Sequence, residues 1–348
     1  MTPAESSGPS LVETPPSGAE TPTSGVATPD VQARTPATRI SLSRVGVTGV
    51  EKIIRIKANG DEQLYHAGLE CYVDLNPRQS GVHMSRFQEV VNEAIDEVIM
   101  GEAFKAETLA SHIAERVRER QGGLRAEVTI RARYPEHKRT PVTGKATQEL
   151  YTLIGTAIAS ERGVRRLVGV EAQGMTACPC AQELVIDSSR ERLAEQGFSD
   201  DEIERVLESV PVATHNQRGI GTLCVGCPEQ CDVDLRAERL LRIVEDSMSS
   251  EIFELMKRPD ERSVVEKAHG RPRFVEDCVR EMVRGLTTAY PELDDNAFVL
   301  ARQENLETIH QHSVVAERYG LLREILAELE SDEHSRHHVT MREWLERH

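Results

Sequence analysis

Residues 126–134 alternate without a break: Val128, Ile130, Ala132 and Tyr134 point one way, Glu127, Thr129, Arg131 and Arg133 the other. Period two over this length specifies a strand with one face in a core and one in water, the pattern of an antiparallel sheet. Such a sheet needs helices to cover its apolar face, and helical spacing is present at Phe87, Val90, Val91, Ala94, Ile95, Val98 and Ile99, behind a capping box at Ser85-Arg86-Phe87-Gln88. Further strands are read at 52–57 and 69–74, and a helix at 146–161. The second half runs in a similar order. A strand at 166–172 leads into a cysteine loop, and a helix opens at the box Ser199-Asp200-Asp201-Glu202. A strand near 218–225 follows, then helices at 235–257 and 274–286 and a strand at 296–302. An amphipathic helix carrying Leu321, Leu322, Ile325, Leu326 and Leu329 comes last. The fold class is therefore α+β, with two related modules at 40–162 and 163–330 and a C-terminal extension at 331–348.

Residues 1–39 are of a different kind. Seven of the sixteen prolines lie there among Thr, Ser and Gly, too little apolar surface to offset the entropy of ordering, so a disordered tail is predicted. Thr-Pro recurs at Thr14, Thr21, Thr28 and Thr35, which reads either as a tether or as a set of modifiable sites. The 58 acids against 42 bases leave a net charge of −16, which argues against nucleic acid or an anionic membrane as partner. No apolar run is long enough to span a bilayer and no basic-then-apolar leader is present, so a cytoplasmic protein is expected. Seven cysteines, an odd number in a long chain, suit a reducing compartment where some thiols serve as metal ligands.

Several short stretches concentrate chemistry. Thr176-Ala177-Cys178-Pro179-Cys180-Ala181-Gln182 places two thiols at a strand end, with Pro179 stiffening a tight turn; by themselves they read equally well as buried small hydrophobes. His215, Asn216, Gln217 and Arg218 are four adjacent polar residues, hard to bury and easy to use as a binding loop. In Glu307-Thr308-Ile309-His310-Gln311-His312 an extended backbone would set both imidazoles on one face, for a metal or a proton shuttle, or simply as a surface pair. His83 and Arg86 lie at a helix N-terminus, a natural anion position. Cys224, Cys227 and Cys231 form a Cys-x2-Cys-x3-Cys cluster with no identifiable fourth ligand, read as incidental thiols before a zinc or iron site. Neither a phosphate-binding Gly-rich loop nor a Ser-centred elbow is present, which leaves metal-assisted hydrolysis as the leading class.

Taken together and in order, the motifs at 174–182, 214–222, 255–261, 274–277 and 307–312 resemble the archaeal-type (type IV) GTP cyclohydrolases and their bacterial type IB relatives, over about residues 40–329. The segments around Cys178 and His215 are more similar to the archaeal branch. The resemblance implies the tunnelling fold, two modules of antiparallel strands with helices on one face, assembled as a homotetramer. It implies that Cys178 and His215 bind the catalytic metal, with Glu261 as the carboxylate ligand and Glu266 as its alternative. Glu276 would grip the guanine edge; Gln217, Arg218, His83 and Arg86, by their own polar and basic character, are expected to make further substrate contacts. Glu307 and His310 would be the acid–base pair, with His312 close by. The implied metal is Fe(II), with Zn or Mn as alternatives, and GTP is the implied substrate. The implied reaction opens the imidazole ring, releases formate and diphosphate and forms 7,8-dihydroneopterin 2′,3′-cyclic phosphate. The alternatives are the type IB reaction, which retains the triphosphate, and a zinc-stabilised binding protein that kept the fold without catalysis.

Overall fold

The computed structural model describes residues 30–58, 61–97, 105–228, 233–331 and 336–346. The first module opens with a long hairpin of β1 (Leu42–Ala58) and β2 (Asp61–Leu75). It continues through α1 (Met84–Glu97) and α2 (Ala106–Gln121) into a second hairpin, β3 (Arg125–Arg139) and β4 (Ala146–Ser160). The second module repeats the order with additions. It comprises β5 (Gly163–Ala177), α3 (Pro179–Glu195), α4 (Asp200–Ser209), β6 (Asn216–Gly226), α5 (Ala237–Ser247), β7 (Ser250–Glu251), α6 (Arg258–His269), α7 (Val275–Ala289), β8 (Phe298–Leu306) and β9 (Val314–Leu321). Two further helices, α8 (Leu322–Ser331) and α9 (Met341–Glu346), end the described chain. All strands belong to one antiparallel sheet in the order β1-β2-β3-β4-β5-β6-β8-β9, with short β7 also paired to β5. β4 and β5 pair from Thr152↔Glu171 to Ser160↔Gly163, so the sheet is continuous between the modules.

The alternating strand of the sequence is β3, whose Val128, Ile130 and Ala132 are fully buried under α1 and α2. The second module builds a matching core from α5 and α7 on the same face. The opposite face is covered locally by the C-terminal segment. Trp344 is 1% exposed, donates its indole N–H to Asn296 O at 2.8 Å, and packs with Val339 and Leu345 over Ile154, Ile158, Leu167 and Phe298. No helix among the described residues is long and apolar enough to cross a membrane.

Several expectations are corrected. Residues 146–161 are strand β4, not a helix. Leu153, Ala157 and Ala159 face the helices while Ile154 and Ile158 face Trp344, and burial on both sides erases the period-two signal. Helix α1 starts at Met84, and Arg86 N already bonds His83 O at 3.1 Å, so Ser85 lies within the first turn instead of capping it. Pro179 does not make a tight turn; it occupies the first position of α3, where its missing N–H costs nothing. The long helix expected to reach 257 stops at Ser247; the buried Met248 and Ser249 lead the chain into β7, whose Ser250 and Glu251 pair with β5. By contrast, the box at Ser199 caps α4, with Ser199 N on Glu202 Oε2 at 2.9 Å. Val98 and Ile99, Cys231, and the tail through Thr28 lie outside the described residues.

Candidate active site

β5 pairs with β6 up to Ala177↔Asn216, and the ladder takes one further step, Cys178 N to His215 O at 3.1 Å. Between these two residues the chain leaves as the α3–α4 hairpin and returns to the same spot. The return is fastened by Thr214 Oγ1 donating to Cys178 O at 2.7 Å, and by Gln182 Nε2 donating to Val212 O at 2.9 Å and His269 O at 2.8 Å. Cys178, with extended backbone, is the N-cap of α3, and among the described residues its Sγ meets only Ala181 N, at 3.5 Å. The thiol is thus held at a helix start with no strong partner.

His215 is half-buried, its Nδ1 3.1 Å from Gln217 Oε1 and 3.7 Å from Glu307 Oε2. An amide oxygen as acceptor assigns the proton to Nδ1, which leaves the Nε2 lone pair for a ligand. The Glu307 side chain is only 7% exposed, and its buried Oε2 has no hydrogen-bond partner among the described residues. Thr308 Oγ1 bonds Asn216 O at 3.0 Å and holds this loop beside the start of β6.

Strand direction brings the other candidates to the same end of the sheet. Arg273 N bonds Ala177 O at 3.0 Å, which sets the start of α7, with exposed Glu276 in its first turn, beside the end of β5. Asp260 ties the start of α6, which carries exposed Glu261, to the tip of the β3–β4 hairpin. His310 and His312 are exposed in the loop between β8 and β9. Their backbone is bent rather than extended, yet the rings stack with centroids 5.1 Å apart.

Other candidates are placed differently. Gln217 is buried and spends its carbonyl on His215, so it serves the imidazole before any substrate. Arg218 falls on the opposite face of β6 and bonds Gln173 Oε1 at 2.9 Å. Glu266 is exposed and faces Arg262 one turn earlier, 3.7 Å away. His83 and Arg86 follow β2 and lie at the other end of the strands within this chain, His83 beside Asp30 at 3.4 Å and Arg86 on Arg120 O at 3.0 Å. Cys224 packs in the Trp344 cluster and Cys227 against the helix-side core, so these two thiols of the cysteine cluster face different layers. Asp260 and Gln182 carry the local architecture, a role the sequence does not assign them although the first sits at the Lys257-x-x-Asp260 helix start and the second in the cysteine motif.

Among the described residues no three His, Cys, Asp or Glu side chains lie close enough together to hold a metal ion unaided. The donors nevertheless suit one. The Cys178 thiol at a helix start and the His215 imidazole with a free lone pair stand on facing ends of β5 and β6, an S and N pair of the kind that binds a borderline-soft divalent metal, while the buried Glu307 oxygen beside the imidazole stays available for proton transfer.

Comparison with known proteins gives the family. The family model for Type I GTP cyclohydrolase folE2 matches residues 28–316. The chain is 42% identical over 304 residues to GTP cyclohydrolase MptA of Methanothermobacter thermautotrophicus, covering 85% of this chain and 94% of that protein. It is 41% identical over 307 residues to the MptA of Methanococcus maripaludis (86% and 97% covered) and 42% identical over 302 residues to that of Methanosphaera stadtmanae (84% and 95% covered). In three dimensions it is similar to a hyper-thermostable uricase mutant, with TM-score 0.50 and 8% identity over 80% of this chain and 91% of that one. That likeness shows the fold alone, an antiparallel sheet with packed helices of the tunnelling type. With the family model spanning most of the chain and the MptA proteins covered over nearly their whole length, the chain belongs to the type I GTP cyclohydrolase family and is of the archaeal MptA kind.

Proposed function

We propose that this protein hydrolyses GTP at the guanine imidazole ring, releasing formate and diphosphate and forming 7,8-dihydroneopterin 2′,3′-cyclic phosphate. The observation that carries the reading is the meeting of Cys178, His215 and buried Glu307 at one sheet end, in a chain 42% identical to GTP cyclohydrolase MptA. Cys178 and His215 would hold Fe(II), with Zn or Mn as alternatives, and Glu261 would complete the ligands from α6. When bound, such a metal would lower the pKa of a water and make hydroxide available at neutral pH. Gln217 keeps the His215 proton on Nδ1, so that Nε2 stays available. Glu276, an acceptor with two oxygens, would take the paired N–H donors of the guanine edge and fix the base in plane. Glu307, nearly dry, would take a proton from the attacking water, and His310 would deliver one to the ring nitrogen as the C8 bond opens. His312, stacked on His310, would orient that ring. Assembly as a homotetramer belongs to the same reading.

The test is anaerobic incubation with GTP and Fe(II), read by formate release and by pterin fluorescence after oxidation. Wild type should score in both, and Cys178→Ser should lose nearly all turnover and its metal while its circular dichroism is unchanged. Wild-type metal content and turnover in that variant would refute the site.

A further inference from the structure

The β3–β4 hairpin runs past the last β4–β5 pair, and its tip, residues 140–145, reaches the same end of the sheet as Cys178. Three buried carboxylates fasten this overhang to the second module. Glu245 of α5 accepts from Lys138 Nζ and Tyr151 Oη, each at 2.6 Å. Glu149 Oε1 accepts from Glu254 N at 3.0 Å. Asp260, with no exposed surface, accepts four hydrogen bonds: Val142 N and Thr143 N at 2.9 Å, Thr143 Oγ1 at 2.6 Å, and Lys257 N at 3.0 Å.

Asp260 differs from the other two in where it sits. Its four donors fill the acceptor sites of a carboxylate, so it has none left for a metal or substrate. Among the described residues no cation pairs with it, so its directional bonds fix geometry instead of balancing charge. Three of those donors belong to the hairpin tip of the first module and one to the residue preceding α6. Pro259 stiffens the same turn. The next residue is Glu261.

We infer that Asp260 is a positioning residue for metal binding: it locks the first turn of α6 to the first module's hairpin and so sets the point from which Glu261 reaches the Cys178–His215 end of the sheet. Thr143, whose side chain bonds the carboxylate, is its partner in that role. The inference rests on the proposed reading of Glu261 as the carboxylate ligand.

The experiment titrates metal-free protein with Co(II) alone, anaerobically, following the thiolate absorption bands, and records the melting temperature of the metal-free forms. Wild type is compared with Asp260→Asn, Thr143→Val and Glu261→Gln. We expect Asp260→Asn to raise the Co(II) Kd about 10-fold, the low end of what supporting residues around a metal contribute, and Thr143→Val to raise it by about 3-fold. A purely structural role would lower the melting temperature and leave the Kd of the folded protein alone. Should Asp260→Asn fail to fold, Thr143→Val decides. If Glu261→Gln weakens Co(II) binding while Asp260→Asn and Thr143→Val bind as wild type does, the positioning role is overturned and the reading of Glu261 stands. If Glu261→Gln itself binds Co(II) as wild type does, that reading falls and takes the inference with it.

Discussion

His215 is governed by two neighbours of different kinds. Gln217 offers a neutral acceptor at 3.1 Å and Glu307 an acidic one at 3.7 Å, so the amide holds the ring while the carboxylate keeps an oxygen for chemistry. Gln217→Leu removes the acceptor and leaves the tautomer free; we expect metal affinity to fall by about 10- to 100-fold with little change in GTP binding, measured by metal titration and by nucleotide equilibrium dialysis. Glu307→Gln should instead leave metal content near wild type and lower kcat by about 100-fold or more, measured by formate release. Among the thiols, burial pushes Cys71, Cys224 and Cys278 up to about 12. At pH 8 they stay protonated and out of reach, whereas Cys180 is exposed. Brief iodoacetamide treatment of the native protein should mark Cys180 and spare those three, as peptide mass spectrometry would show. At this scale the sequence marks the Cys178 and His215 stretches by their clustered thiols and polar side chains, while Glu307 stands out only through the family resemblance. The use of Gln217 on His215 is not legible there, since a residue's partner across a single turn depends on which face of β6 it takes.

Elements differ in how plainly the sequence marks them. β3 was plain because one of its faces is wet. β4 was hidden because both of its faces are dry, and α3 because its start looks like a turn. Only Gln182 on α3 is buried, so no apolar stripe marked that helix. α2 was overlooked although Leu109, Ala110, Ile113, Ala114 and Val117 lie buried at helical spacing. The contact between α2 and β4 is also one that tolerates little. A Cβ on Gly155 would come within 2.2 Å of the Ala106 carbonyl carbon and 2.4 Å of Glu107 N, backbone atoms that cannot swing aside. Gly155→Ala should cost about 3 kcal/mol or more, above most overpacking changes, measured as a lowered urea midpoint with an unchanged slope.

For the whole molecule, one continuous sheet carries two modules, and its two ends differ in character. One collects Cys178, His215, Glu307 and the starts of α6 and α7; the other holds His83 and Arg86, which the sequence had grouped with the site because linear motifs do not reveal strand direction. The C-terminal segment reaches back to the sheet face away from the helices, and Trp344 is its anchor. Trp344→Ala should cost about 3–5 kcal/mol and expose Ile154, Ile158 and Phe298, seen as a lower melting temperature and increased dye binding.

The central claim is a ring opening coupled to loss of diphosphate, and phosphorus NMR of an anaerobic reaction with GTP and Fe(II), with formate assayed in the same sample, tests it most directly. The account expects one formate per GTP consumed, free diphosphate, and a cyclic phosphodiester signal. Formate accompanied by an intact triphosphate on the pterin would contradict the assigned product, and unchanged GTP without formate would contradict the activity itself.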